Sequence, residues 1–174
     1  MDGFFAGPNG EIDWHQADDE YIAYAKAFLN NVDMLLFGRV TYQLMAAYWP
    51  TSTQDIAHEM NMLPKLVVSK TLNGADWNNT TVVKENVVDV IASLKQQPGK
   101  PLAVLGSASL ASYLRNAGLV DEYHLTVVPV LLGHGKSLFT ELRYSVNMKL
   151  LKSSVHRSGN VQLHYQLFKE YRDE

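Results

Sequence analysis

The chain has 174 residues, 47% of them apolar, with 15 basic against 18 acidic side chains and no cysteine. That length supports one domain whose core buries about two thirds of the surface an unfolded chain exposes, and leaves little for a second core. A formal charge of -3 argues against a nucleic-acid-binding module, which needs a basic face, and the missing cysteines remove disulfides, zinc-thiolate sites, iron-sulfur clusters and thiol nucleophiles together.

The N-terminus, MDGFFAGPNGEIDW, has an acid at its second position and no apolar run of signal-peptide length, so a cytoplasmic protein without a membrane partner is expected. Asp18, Asp19 and Glu20 precede Ile22, Ala25 and Leu29, which share one helical face, and the pattern predicts a helix over 18–30 with its acids at the positive end. Met34 to Phe37 is wholly apolar and closed by Gly38, as suits a strand buried on both faces, and a helical pattern follows over 41–48 until Pro50. Lys65 to Ser69 and Thr80 to Val83 read as further strands, and Asn86 as the cap of a helix carrying Val87, Ile91 and Leu94. Leu102 to Leu105 is a strand running into Gly106, Ser107, Ala108 and Ser109, with a helix from there to a capping glycine at Gly118.

The last third changes character. Glu122 to Leu132 is rich in Val, Leu and Tyr, and Met148 to Val155 and Val161 to Phe168 form a predicted hairpin about Ser158-Gly159-Asn160. Leu163, Tyr165 and Leu167 alternate with polar residues, the period of a strand with one buried face. Helix-alternating strands followed by antiparallel ones predict an α/β domain, a mixed sheet with flanking helices and a C-terminal antiparallel hairpin.

In such a sheet, ligands gather at the carboxyl ends of the strands, where backbone N–H groups and helix N-termini suit phosphate oxygens. Three turns qualify by composition: Gly38-Arg39-Val40-Thr41, Ser69-Lys70-Thr71 and Gly106-Ser107-Ala108-Ser109. The first two add a guanidinium and an ammonium, a set that fits a pyrophosphate plus one more phosphate and points to a phosphorylated dinucleotide. The same residues also make ordinary turns and helix caps. No G-x-G-x-x-G, Walker sequence or G-x-S-x-G elbow is present. His58-Glu59 opens like a zinc-protease helix, but Met62 stands where its second histidine would be, and His15, His124, His134, His156 and His164 show no ligand spacing, so no metal is expected. The Gly133-His134-Gly135-Lys136 run reads either as an anion nest or as a solvated loop.

The segments DGFFAGPNGEIDW, LLFGRVTY, LVVSKTL, LAVLGSASL and GLVDEYHLTVVPVLLGHGKSLF resemble, in order and spacing, the dihydrofolate reductase-like superfamily. The branch they are most similar to is the C-terminal reductase domain of the bifunctional riboflavin-biosynthesis deaminase-reductase, and the likeness runs from residue 2 to about residue 168. It implies NADPH as reductant, a homodimer, and hydride transfer to a small heterocyclic or sugar-like substrate, as in 5-amino-6-(5-phosphoribosylamino)uracil reductases. It places Gly38, Arg39 and Thr41 on the cofactor phosphates, Ser69, Lys70 and Thr71 near the 2′-phosphate, and Gly106, Ser107, Ala108 and Ser109 on the pyrophosphate. Phe5 and Ala6 would line the nicotinamide and Trp14 the substrate cavity, with Asp19 as the anchoring or protonating acid; Asp18 to Glu20 serve equally as helix N-terminal acids. The family normally carries a strand just before the position of Asp2, so a single domain over 1–174 lacking that strand is expected. A non-catalytic binding protein on this fold, and a dihydrofolate reductase proper, are the competing expectations.

Overall fold

Residues 34–37 are apolar without a break because the strand they form, β2 (Met34–Gly38), is covered on both faces: Leu35, Leu36 and Phe37, which alternate in direction, are all buried. The computed structural model describes residues 1–15, 17–105, 107–142 and 145–168. They fall into two units, one spanning Tyr21–Ala111 and the other Met1–Glu20 with Ser112–Glu174.

In the first unit β2 is joined by β3 (Lys65–Val68), β4 (Thr80–Val83) and β5 (Leu102–Val104) in the order β4-β3-β2-β5, all parallel. The helices are α1 (Asp19–Leu29), α2 (Arg39–Tyr48), α3 (Ala57–Met62), α4 (Val87–Lys95) and α5 (Ala108–Asn116); α2 and α3 make the crossover from β2 to β3 and α4 the one from β4 to β5, while β3 reaches β4 through a loop without a helix. Pro50 ends α2 as expected, in a single 3-10 turn over Trp49–Thr51. The core gathers Leu35, Phe37, Trp49, Met60, Val67 and Trp77, with Ile22, Ala25 and Phe28 of α1 packed against it. Asn86 does not cap α4 through its side chain. It takes the left-handed conformation at φ 52, which asparagine tolerates, and its carbonyl accepts from Val90 N–H at 3.0 Å.

Lys65 stands at the head of an apolar strand, and its ammonium is folded into the core. Its Nζ donates to the carbonyls of Leu63, Asn61 and Asn78 at 2.7, 2.9 and 3.3 Å and lies 4.4 Å from the centroid of the Trp77 ring. Burial pulls its pKa down to about 8, while the three carbonyls and the indole face supply the acceptors that a buried cation needs.

The second unit is antiparallel. β1 (Phe4–Ala6) pairs with β7 (Lys136–Ser137), while β6 (Glu122–Val127), β9 (Val161–Leu167) and β8 (Met148–Val155) form a sheet in the order β6-β9-β8. The β8 and β9 hairpin is the predicted one. Of the Val-, Leu- and Tyr-rich run over 122–132, the strand takes only the part to Val127; beyond it Pro129 removes a donor and a tight turn joins Val130 N–H to Val128 O at 2.8 Å. Gly118 ends α5 as expected: at φ +71 it donates to Arg115 O at 2.9 Å, and Leu119 N–H reaches Leu114 O at 2.9 Å. The expected single buried face of β9 is not found. Leu163, Tyr165 and Leu167 are only half-buried, and Gln162 from the opposite face is the buried residue, its amide oxygen accepting from the Thr126 hydroxyl of β6 at 3.1 Å. Among the described residues no helix is long and apolar enough to cross a membrane.

Candidate functional site

The three turns singled out by composition all lie at one edge of the parallel sheet. Gly38 closes β2, Ser69 follows β3 directly, and Ser107 leads from β5 into α5. Gly38 is in register with Val68 of β3, so those two strands end level, and Val104, the last residue of β5, is in register with Leu36. The sheet order also reverses here: β3 and β4 are laid down on one side of β2, and the chain then crosses to place β5 on the other. Such a reversal splays the helices that follow the two strands and opens a crevice at their carboxyl ends.

Gly38 has φ -79 and ψ 158, a conformation open to any residue. Its lack of a side chain matters for another reason: a Cβ there would stand 2.6 Å from Ser107 Oγ. The β2 and β5 turns therefore meet at Gly38 and Ser107. α2 begins at the next residue with no side-chain cap and no acid in its first turn, which leaves its first backbone N–H groups available to an anion. Ser107 is buried, and its carbonyl accepts from Ala111 N–H at 2.9 Å to open α5.

Around this edge, Arg39 is exposed and donates to Gln43 Oε1 at 2.9 Å, and Thr41 is half-buried in the first turn of α2. Ser69 is buried, and its Oγ accepts the N–H groups of Thr71 and Leu72 at 3.2 and 3.0 Å, so it shapes the loop that carries Lys70. Lys70, Thr71 and Ser109 are exposed and Ala108 is half-buried. Gly106 lies outside the described residues. The unit thus brings together the β2, β3 and β5 turns, with one guanidinium and one ammonium at their rim.

Phe5, Ala6, Trp14 and Asp19 belong to the other unit. Phe5 and Ala6 are in β1, Ala6 buried. Trp14 is half-buried, its indole Nε1 is buried without a hydrogen-bond partner, and its ring meets His15 edge-on at 6.0 Å. Burial lowers the pKa of His15, and the charge of Asp18 partly opposes this. Asp19 is exposed in the first turn of α1, and Glu20 beside it accepts Arg157 N–H at 2.8 Å and pairs with Arg157 Nε at 3.5 Å. In the Gly133 to Lys136 run packing requires Gly135, where a Cβ would land on the carbonyl oxygen of Ala6, while Gly133 takes φ +74 in open space. His58 and Glu59 sit on α3, where Glu59 pairs with Lys26 at 3.8 Å.

One cluster escapes sequence reasoning. Glu122 and His124 share a face of β6, and the pairing of β6 with β9 sets His164 directly opposite His124. The spacing of Glu122 and His124 by two residues was the available signal; the third member depends on strand register.

A parallel sheet with the uncapped start of α2 at its order reversal, joined in the chain by an antiparallel sheet, makes this an α/β protein. The sequence matches the family described as the RibD C-terminal domain over residues 1–162, and the chain belongs to that family. It is 36% identical over 170 residues to the uncharacterized protein YyaP of Bacillus subtilis (strain 168), covering 95% of this chain and 89% of that one. Among solved structures it resembles a putative riboflavin biosynthesis protein from Shewanella sp. PV-4, with a TM-score of 0.77, 26% identity and coverage of 97% and 94% of the two chains. It also shares a fold with dihydrofolate reductase from Enterococcus faecalis complexed with NADP(H), with a TM-score of 0.61, 15% identity and coverage of 92% and 88%. The expected fold class and family are therefore both found, and both relate the chain to reductases.

Proposed function

We propose that this protein is an NADPH-dependent reductase that delivers a hydride to a C=N or C=O bond of a small heterocyclic or sugar-like substrate, as 5-amino-6-(5-phosphoribosylamino)uracil reductases do. The observation that carries the reading is the meeting of Gly38 and Ser107 where the strand order reverses, with uncapped N–H groups at the start of α2. Membership of the RibD C-terminal family supports it, as does the NADP(H) bound to the dihydrofolate reductase of the same fold.

Gly38, Arg39 and Thr41, with Gly106, Ser107, Ala108 and Ser109, take the cofactor phosphates; Ser69 and Thr71 shape the loop from which Lys70 reaches the 2′-phosphate. NADPH supplies the hydride when bound. Phe5 and Ala6 line the nicotinamide, Trp14 borders the substrate and excludes water, and Asp19 holds the proton that the reduced substrate receives. No metal takes part in this reduction. The chain of 174 residues acts as one reductase domain, in the cytoplasm and as a homodimer.

Titration of the protein with NADPH and NADH tests the reading. A charge-assisted contact of Lys70 with the extra phosphate should favour NADPH by about tenfold or more, and Lys70→Ala should erase the preference. Equal affinity for the two nucleotides, or undiminished discrimination by the variant, refutes it.

A further inference from the structure

We propose that Glu122, His124 and His164 form a site for a borderline divalent cation, Zn2+ foremost, with two imidazoles, one carboxylate and an open position for water. The site is separate from the cofactor turns and does not depend on the reductase reading.

The backbone supplies the geometry. β6 and β9 pair without a register shift from Glu122 opposite Gln166 to Val127 opposite Val161. His124 and His164 are directly cross-strand, and Glu122 lies two residues along β6 on the same face. Their rings stack face to face at 3.9 Å with 25° between planes, so the two imidazoles are adjacent, and a turn of one ring is what aims both in-plane lone pairs at a common ion. Glu122 Oε2 is 2.8 Å from His164 Nε2 and 3.7 Å from His124 Nε2, and one ligand atom from each residue fits within 4.8 Å of the others. Ligand atoms about 2.0–2.1 Å from a tetrahedral ion are about 3.4 Å apart. The two observed separations bracket that value, so closing on a metal needs only side-chain adjustment on a fixed frame.

The donor set is chemically apt. Two imidazole nitrogens and one carboxylate suit Zn2+, Co2+, Ni2+ or Cu2+ better than Mg2+ or Ca2+. The three side chains are partly exposed, at 40%, 30% and 27%, which gives the ion an entry path and room for water. The charged groups aligned with the site on the next strand are Lys149, in register with Gln166, and Lys152, in register with His164. Both are exposed and extend to solvent, where they moderate the affinity. A second grouping, Asp18, Glu20 and His156, offers a single imidazole, and its Glu20 is already engaged by Arg157. It serves as the control. A bound ion would tie β6 to the middle strand of its sheet.

The test uses tag-free, full-length protein stripped with a chelator and titrated calorimetrically with Zn2+, and with Co2+ followed by visible absorption. One equivalent should bind, and Co2+ should show the d–d bands of low-coordinate nitrogen and oxygen ligation. His124→Gln and His164→Gln should each weaken Zn2+ binding by at least about tenfold, while His156→Gln leaves it unchanged. Binding unaffected by both cluster variants, abolished by His156→Gln, or no stronger for Zn2+ than for Mg2+ would overturn the proposal. The Co2+ spectrum of the unaltered protein reports ligation even if a variant folds poorly: bands of an octahedral aquo type also refute it.

Discussion

The contact between Gly38 and Ser107 can be isolated by a double-mutant cycle. At φ -79 and ψ 158 alanine meets no backbone penalty, so Gly38→Ala tests the contact alone. The new Cβ would lie 2.6 Å from Ser107 Oγ and 3.7 Å from Ser107 Cβ. The first separation is well inside contact distance and the second is comfortable, since unstrained heavy atoms pack at about 3.5–4.0 Å. Ser107 is buried, so its hydroxyl has little space to turn into. Overpacking of this kind costs about 1–3 kcal/mol, offset by about 0.4–1 kcal/mol because alanine restricts the unfolded chain. With Ser107→Ala the offending oxygen is gone, and alanine at 38 should be neutral or stabilising by up to about 1 kcal/mol. The coupling energy should therefore be about 1–3 kcal/mol. Urea unfolding followed by the fluorescence of Trp49 and Trp77, both buried in the same unit, reads it from midpoints at constant slope. If Gly38→Ala costs the same in both backgrounds, the two turns do not meet at these atoms.

Three more outcomes follow from particular atoms. Lys65 titrates at about 8 in the folded chain, against 10.5 for a lysine side chain free in water. Between those values the unfolded state binds more protons, so this lysine adds stability as pH rises through that window, by up to about 3 kcal/mol. Thermal unfolding of wild type and Lys65→Met at pH 7.5 and 9.5 should show wild type gaining on the variant, and a gap that stays flat or shrinks refutes the assignment. Gly135→Ala places its Cβ against the Ala6 carbonyl, a backbone atom with no rotamer to escape to; it should cost about 3 kcal/mol, whereas Lys136→Ala in the same run should stay within about 0.5 kcal/mol. An anion nest would show the reverse emphasis, with salt dependence and little loss of stability. Asp19→Asn should reduce turnover on an identified substrate by about 10²-fold or more without changing NADPH affinity; unchanged turnover removes Asp19 from the mechanism and leaves it a helix N-terminal acid.

Most of the fold is legible in the sequence because local rules and tertiary packing agree. The apolar run at 34–37 is central because both its edges are paired, Pro50 ends a helix, and Gly118 adopts the positive φ that a helix terminus asks of it. The differences arise where burial depends on neighbours remote in sequence. Lys65 reads along the chain simply as the start of a strand, yet its ammonium is sealed by carbonyls of residues 61, 63 and 78. Asn86 carries the composition of a cap, but it serves by entering the left-handed region while its side chain makes no cap bond. Gln162 is buried, its amide oxygen accepting from Thr126 on the neighbouring strand at 3.1 Å, and Leu163 is only half so, which alternation along one strand does not record.

The same distinction separates the two candidate sites. Each of the three turns is visible alone, as glycine, hydroxyl or cation at the end of an apolar run, and in that form it is no more than a turn. The strand order is what sets the β2 turn beside those of β3 and β5. Had β5 been added beyond β4, the turn bearing Ser107 would lie three strands from Gly38 rather than against it. At about 4.8 Å per strand, that is about 14 Å, too far for a single pyrophosphate to engage both helix starts. Crossing back to the free edge of β2 is therefore the step that creates the crevice, and it is encoded in the path from Val83 through α4 to Leu102 rather than in any motif. The Glu122, His124 and His164 cluster depends on the finer matter of register. A slip of β9 by one residue would carry His164 to the opposite face of the sheet and leave Glu122 and His124 without a third ligand.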